Sequence, residues 1–223
     1  MTATFVVDNC SAMHSQLERR LLLKQPFSSP QPALFLDRDG VVIEDKHHLH
    51  NPEEVELCPG VPKLLGHAKQ SGWPVVLITN QSGIARGFFS WQDYEAVTQR
   101  LLEILGDASP LSAIYANGHG PDAAANSWRK PGPGMLLTAA EELNLDLSRS
   151  ILVGDRLSDL QAGEKAGLRY VAHVSTGHGQ QERERVFAWH NHHHETTIDG
   201  EEIELALLES LHDFPLERII SVL

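Results

Sequence analysis

Short, unbroken apolar runs punctuate the chain, and between them apolar residues recur at helical spacing. The runs are 33–36 (Ala33, Leu34, Phe35, Leu36), 75–78 (Val75, Val76, Leu77, Ile78), 112–115 (Ser112, Ala113, Ile114, Tyr115), 151–153 (Ile151, Leu152, Val153) and 170–172 (Tyr170, Val171, Ala172). None alternates strictly with polar residues, which is the pattern of parallel strands buried on both faces. Val61, Leu64, Leu65 and Ala68 share one face of a first helix. Tyr94, Val97, Leu101 and Leu105 share one face of a second, which Ser90 is placed to cap. Leu136, Leu137, Ala140 and Leu143 make a third, and a fourth starts near Ser158 and ends at Gly167. Strand alternating with helix predicts an α/β fold, a three-layer α/β sandwich around a doubly wound, Rossmann-like parallel sheet. No large cap domain is expected. The interval from Gly40 to Val75 holds only a flap and one helix, and that from Thr79 to Lys130 is filled by a helix, a strand and a loop.

The two ends of the chain read differently. Residues 1–32 read as an extension and linker. A short helix is expected from Met13 to Lys24, with Leu17, Leu21 and Leu22 on one side, before Pro26, Pro30 and Pro32 break any regular element. Residues 33–223 read as the main domain, closed by an acidic helical tail near Glu201 to Leu211. The His-rich stretch 190–194 reads as a solvated loop that could take up stray transition metals.

Composition narrows the function. The chain has 223 residues, 41% hydrophobic and 22% charged, enough for one α/β domain with a core. Its 18 Lys and Arg face 30 Asp and Glu, a formal net charge of −12. That balance argues against nucleic acid as a partner, since such binding rests on Lys and Arg contacts to phosphates. Cys10 and Cys58 are the only cysteines. They give no disulfide framework and cannot close a four-sulfur zinc site, so both are read as small hydrophobes. No apolar run approaches the roughly 20 residues of a membrane span. The start, MTATFVVDNC, lacks a basic segment followed by a long apolar one, so no secretory signal is expected and a cytoplasmic location is the default.

In sheets of this kind ligands sit beyond the carboxyl ends of the strands. After the first run comes Asp37-Arg38-Asp39-Gly40-Val41. Residues two apart in extended backbone point the same way, so Asp37 and Asp39 can converge while Arg38 points elsewhere. After the second run comes Thr79-Asn80-Gln81-Ser82-Gly83-Ile84-Ala85-Arg86-Gly87, and after the fourth Gly154-Asp155-Arg156-Leu157-Ser158-Asp159. A separate loop carries Trp128-Arg129-Lys130-Pro131. Carboxylates that hold Mg²⁺, a lysine and hydroxyl that neutralise phosphate oxygens, and a carboxylate able to attack phosphorus suit phosphoryl transfer. Five of the 18 basic residues, Arg38, Arg86, Arg129, Lys130 and Arg156, fall in these loops, which favours an anionic ligand. Gly83 and Gly87 are expected to let the backbone approach a phosphate before a helix begins. Asp159 has two readings, a metal ligand through water or a stabiliser of a helix N-terminus beside Ser158, and the residues leave both open.

Taken in order, Asp37-Arg38-Asp39-Gly40-Val41, Thr79, Lys130 and Gly154-Asp155 with Asp159 resemble the haloacid dehalogenase (HAD) superfamily of phosphatases. The stretch 79–87, Arg129-Lys130-Pro131 with Gly134-Met135-Leu136, His50-Asn51-Pro52-Glu53 and Pro59-Gly60-Val61 resemble the branch holding the heptose bisphosphate and histidinol-phosphate phosphatases. The likeness covers residues 33–180 and leaves 1–32 and the His-rich stretch aside. It implies strand order 3-2-1-4-5 for the five runs. It implies that Asp37 is the nucleophile and a magnesium ligand. Asp39 would be the general acid and base, with its carbonyl on the metal, Thr79 and Lys130 would hold the phosphoryl oxygens, and Asp155 would complete the Mg²⁺ site. It further implies that Asn80, Gln81 and Ser82 line the substrate pocket, that Arg129 reads a distal part such as a second phosphate, that Asp45 to His48 form a flap over the site, and that Arg156 reaches the substrate.

One departure stands out. The branch carries a Cys-x-His…Cys-x-Cys zinc loop before Arg-Lys-Pro. Here Ala116, Gly118, Asn126 and Trp128 stand at those positions, with His119 nearby, so no zinc is expected. His47, His48 and His50 are read as polar flap residues. The favoured activity is Mg²⁺-dependent hydrolysis of a small phosphate ester, a sugar phosphate or bisphosphate, through an aspartyl-phosphate. Histidinol phosphate is the alternative substrate, and a phosphate-pocket binding module without turnover the alternative class. The oligomeric state is left open, a monomer being favoured.

Overall fold

The computed structural model describes residues 16–106, 109–124, 127–196 and 203–220. Its sheet has seven strands in the order β1-β4-β3-β2-β5-β6-β7. These are β1 (Glu18–Leu22), β2 (Leu34–Leu36), β3 (Val75–Asn80), β4 (Leu111–Asn117), β5 (Ile151–Gly154), β6 (Tyr170–Val174) and β7 (Glu204–Leu208). The inner five follow the expected 3-2-1-4-5 order and pair in parallel, as β7 does with β6. Only β1 runs antiparallel, along the outer edge of β4.

The apolar runs lack alternation because both faces are covered. Leu34 and Leu36 of β2 pack into one core with Val61 and Leu64 of α1 (Val61–Gln70) and Val97 and Leu101 of α2 (Trp91–Leu105). Phe35, between them, points the other way. There it meets Met135, Leu136 and Ala139 of α3 (Gly134–Leu143), Leu160 of α4 (Leu157–Lys165) and Val186 and Trp189 of α5 (Gly179–Thr196). α2 starts as expected at Ser90, where Ser90 and Asp93 bond each other's backbone N–H groups. Between Gly40 and Val75 lie a flap, one 3-10 turn and α1, which leaves the carboxyl ends of the strands without a large cap.

Four expectations fail. The helix expected from Met13 to Lys24 is instead β1, with residues 1–15 outside the described part. Leucine spacing there fits either element. Pairing settles it, because β4 has an open edge whose polar groups β1 satisfies while Leu21 turns inward. The helical tail near Glu201 to Leu211 is β7, which extends the edge of β6 in the same manner, followed by 3-10 turns (residues 201 and 202 are not described). His190 and His192 lie on α5 rather than in a loop. In α3 the buried face is Met135, Leu136, Ala139 and Leu143, leaving Leu137 exposed. Cys58 is a buried free thiol within the core, and Cys10 falls outside the described residues.

Candidate active site

Three adjacent strands end at one point. Asp37 follows β2, Thr79 and Asn80 close β3, and Asp155 follows β5, so neighbouring strand tips deliver a carboxylate, a hydroxyl with an amide, and a second carboxylate. Asp37 Oδ1 accepts the Arg38 N–H at 2.7 Å. Lys130 arrives from the loop before α3. Its Nζ lies 2.9 Å from Asp37 Oδ1 and 2.7 Å from Asp159 Oδ1, and it donates to the Ile78 carbonyl at 3.0 Å. The backbone of Lys130 is fixed as well: its N–H donates to Asn80 Oδ1 at 3.1 Å, and Asn80 Nδ2 donates to its carbonyl at 3.1 Å.

Asp39 is gripped from two sides, by Arg38 and Gln81. Arg38 donates Nε to Oδ2 at 3.2 Å and Nη2 to Oδ1 at 3.1 Å. Gln81 Nε2 reaches Asp39 Oδ2 at 2.7 Å and Thr79 Oγ1 at 2.8 Å. Arg38 is itself buried, its guanidinium 4.9 Å from the Tyr94 ring centre. It therefore points away from the pocket, as the backbone alternation requires, yet returns to hold the next residue's carboxylate.

Burial and crowding set the electrostatics. Burial pushes the Asp37 carboxyl up to about 7; Lys130 pulls it back, while Asp159 and Asp39 add to the rise. Burial, then Asp159 and Asp37, lift Asp155 well above the carboxylate range. Burial alone would lower Lys130, but Asp159 and Asp37 outweigh it and hold the ammonium above its ordinary value. One cation among three buried carboxylates leaves an excess of negative charge that a second cation would relieve.

The residues fit a divalent ion. Carboxylate oxygens of Asp37, Asp155 and Asp159 lie within 4.8 Å of one another. Asp155 Oδ2 accepts the His178 N–H at 2.7 Å, whereas its Oδ1 is buried with no hydrogen-bond partner. Hard oxygen donors suit Mg²⁺. The surroundings are shaped to this carboxylate: a Cβ on Gly40, where φ is +83°, would come within 2.5 Å of Asp155 Oδ2. Asp159 turns out to serve several ends at once, since its Oδ2 also accepts the Arg156 N–H at 3.0 Å in the first turn of α4.

Outward from this cluster opens a cavity of about 510 Å³. Asp37, Asp39, Thr79 and Lys130 line its floor, with Asn80, Gln81 and Ser82 on the wall and Arg86, Arg129 and Arg156 around the mouth. Asp45, His47, His48 and His178 also border it. Arg129 Nη1 donates to the His119 carbonyl at 2.9 Å. Burial, then Arg86 and Arg156, press its guanidinium below its ordinary value, a sign that the three cations face a shared space. Burial and then Arg86 likewise lower His48. Arg86 donates to Ser82 Oγ at 2.9 Å and lies 3.3 Å from His48 Nε2.

The residues given catalytic or substrate-contact roles in the sequence thus border one cavity, together with Asp155 just behind its floor. Asn80 and Gln81 do more than line it: they brace Lys130 and Asp39. Gly83 departs from expectation. It packs against Phe89, whose ring a Cβ would meet at 2.2 Å, and so serves the loop's packing rather than a phosphate approach. Missed altogether was His178. Its Nε2 lies 2.8 Å from Asp45 Oδ2, and with His47 it makes a second group of ligand atoms within 4.8 Å of one another. The available signal was its place just past the fifth apolar run. At the zinc-loop positions, Ala116 closes into β4, Gly118 donates its N–H to the Leu17 carbonyl, and Trp128 packs edge-on against Tyr115; Asn126 lies outside the described residues. These groups do not fit a zinc ion.

Open strand tips, a paired Asp motif and a lysine reaching the first Asp define a phosphatase of the HAD type. Comparison with known proteins agrees. The family described as HAD-hydrolase-like matches residues 127–198. The D-glycero-beta-D-manno-heptose-1,7-bisphosphate 7-phosphatase of Mesorhizobium japonicum is 46% identical over 144 residues, 61% of this chain and 66% of that protein. The D-glycero-D-manno-heptose-1,7-bisphosphate 7-phosphatase of Thermosynechococcus vestitus is 39% identical over 163 residues, 68% of this chain and 83% of that protein. Among solved structures, a D,D-heptose 1,7-bisphosphate phosphatase from B. bronchiseptica, complexed with magnesium and phosphate, superposes with a TM-score of 0.65 at 32% identity, covering 81% of this chain and 94% of the other. The chain belongs to the haloacid dehalogenase superfamily of phosphatases, in the branch of the heptose bisphosphate phosphatases. Among the described residues, no helix is long and apolar enough to cross a membrane.

Proposed function

We propose that the protein removes the 7-phosphate from a heptose 1,7-bisphosphate, with Asp37 as nucleophile and Mg²⁺ as cofactor. The observation that carries the substrate class is the pocket's polarity. Its floor suits one phosphoryl group, and its mouth presents Arg86, Arg129 and Arg156, cations suited to a second anionic group. Histidinol phosphate, whose distal end is a cationic amine, is disfavoured by that mouth, and the intact Asp pair and Lys130 disfavour a binding module without turnover.

In this reading the transferred phosphoryl group sits against Lys130 Nζ and Thr79 Oγ1, which offset the charge on its oxygens. Asp37 attacks phosphorus in line. The phosphorus–oxygen bond to the sugar breaks as Asp39 gives its proton to the departing oxygen, leaving an aspartyl-phosphate on Asp37. Asp39, now a carboxylate, takes a proton from water. That water's oxygen attacks phosphorus, the bond to Asp37 breaks, and inorganic phosphate leaves. The bond from Gln81 and the pair from Arg38 keep Asp39 close to the path of both proton transfers. Asp37, Asp155 and the Asp39 carbonyl would hold Mg²⁺, with Asp159 at hand. When bound, the ion supplies positive charge to the phosphoryl oxygens.

Phosphate release measured over heptose 1,7-bisphosphate, heptose 7-phosphate, histidinol phosphate and a panel of sugar phosphates tests the reading. The highest kcat/KM is expected on the bisphosphate. A preference for histidinol phosphate, or no release from any ester, would overturn it.

A further inference from the structure

The loop that carries Arg129 and Lys130 is anchored at its two ends by different parts of the molecule. At Lys130 the anchors are the active site's own residues, Asn80, Asp37 and Asp159. At the other end they come from Leu17 and the start of β1. The Gly118 N–H donates to the Leu17 carbonyl at 2.6 Å, where the loop leaves β4. Glu18 Oε1 accepts the Trp128 backbone N–H at 3.0 Å, where the loop returns. The same oxygen lies 3.6 Å from His119 Nε2, with the Glu18 side chain 9% exposed. One carboxylate therefore bonds the incoming residue 128 and stands beside the outgoing residue 119. Arg129, the next residue, closes the circuit by donating to the His119 carbonyl. β1 holds Glu18 in register through its pairing with Asn117 of β4.

We propose that Glu18 is a positioning residue for substrate recognition: the β1 segment straps Gly118, His119 and Trp128 to the sheet, and the Glu18 carboxylate sets where Arg129 sits in the pocket mouth. This rests on the reading of Arg129 as a contact for the substrate's distal phosphate. The strap acts on the mouth alone, because Lys130 and the floor of the pocket have their own anchors. Loss of Glu18 should therefore weaken recognition of the distal group while sparing the chemical step.

The test compares Glu18→Ala with Glu18→Gln, which retains an acceptor oxygen for the Trp128 N–H and for His119. Each is assayed on heptose 1,7-bisphosphate and on p-nitrophenyl phosphate, which has no distal anion, and hydrogen exchange at the Trp128 amide is followed in parallel. In Glu18→Ala, exchange at Trp128 should quicken and KM for the bisphosphate should rise about tenfold, the scale of one lost acceptor for a buried N–H. The kcat should stay within about twofold, as expected when an interaction made equally in ground and transition state is lost. KM for p-nitrophenyl phosphate should hold, and Glu18→Gln should restore the wild-type values. Unaltered Trp128 exchange, or equal losses on both substrates, would overturn the proposal. If Glu18→Ala does not fold, Glu18→Asp keeps the charge, shortens the reach and carries the same comparison. Should the wild-type enzyme show no preference for the bisphosphate, the reading of Arg129 falls, and a strap for recognition falls with it; unaltered exchange with the preference intact would remove the strap alone.

Discussion

The floor and the mouth of the pocket are built on opposite plans. On the floor most charged groups are buried and held between neighbouring backbone elements: Lys130 is 2% exposed, Asp155 and Asp159 fully buried. At the mouth Arg86 and Arg156 are exposed, and they and Arg129 border the cavity from loops and a helix start rather than from within the sheet. A reaction step demands fixed geometry, and only crossing backbone elements supply it without reorganisation. Recognition of a distal group tolerates more freedom, so its residues sit on loops.

Breaking the floor should have the largest effect. Asp37→Asn removes the nucleophile while keeping the shape, and kcat should fall by roughly three orders of magnitude or more with little change in melting temperature; substantial phosphate release from a folded variant would contradict the covalent route. Chelation comes next. EDTA should abolish release and added Mg²⁺ restore it, whereas full turnover after exhaustive chelation would remove the metal from the account. Lys130→Met strips the cation from between Asp37 and Asp159, and unfolding in urea should show a loss of about 3 kcal/mol, the cost of stranding a buried charge. An unaltered midpoint would show that these carboxylates do not depend on it.

At the mouth, effects should be smaller. Arg129→Ala should raise KM for the bisphosphate about tenfold, and more than it raises KM for p-nitrophenyl phosphate, as expected for one charge-assisted contact. Equal changes on the two substrates would detach Arg129 from the distal group. The subtlest effect is the pH dependence of metal stabilisation. Folding raises Asp37 from 3.8 to about 7 and raises Asp155 too, so without metal the folded chain holds protons that the unfolded chain has shed. Between 3.8 and about 7 their contribution to stability therefore declines as pH rises. Mg²⁺ competes with those protons. The increase in melting temperature on adding Mg²⁺ should thus be larger at about pH 8 than at about pH 6. The opposite order would mean that the ion binds elsewhere.

The same contrast governs what could be read from the chain. Five strands and the floor residues were legible because two-sided burial writes unbroken apolar runs; Asp37 and Thr79 stand directly after them and Asp155 one residue further on. Edge strands leave a weaker trace. β1, with Glu18, Arg19 and Arg20 ahead of Leu21, needs only one inward side chain, and its leucines fit a helix as well. β7 was hidden in acidic residues for the same reason. Contacts that cross the fold left no local signal: nothing near Asp39 announces Gln81, and His178 meets Asp45 across 133 positions of sequence. Nor does a missing set of zinc ligands say what holds the loop instead; the Glu18 contacts with Trp128 and His119 emerge only when β1 is laid against β4.

The most direct test of the nucleophile is acid quenching of the enzyme during turnover of heptose 1,7-bisphosphate, followed by peptide mass spectrometry. A phosphoryl group on the peptide containing Asp37, absent from Asp37→Asn, is the predicted result. Turnover with no adduct at Asp37, or an adduct on another residue, would contradict it.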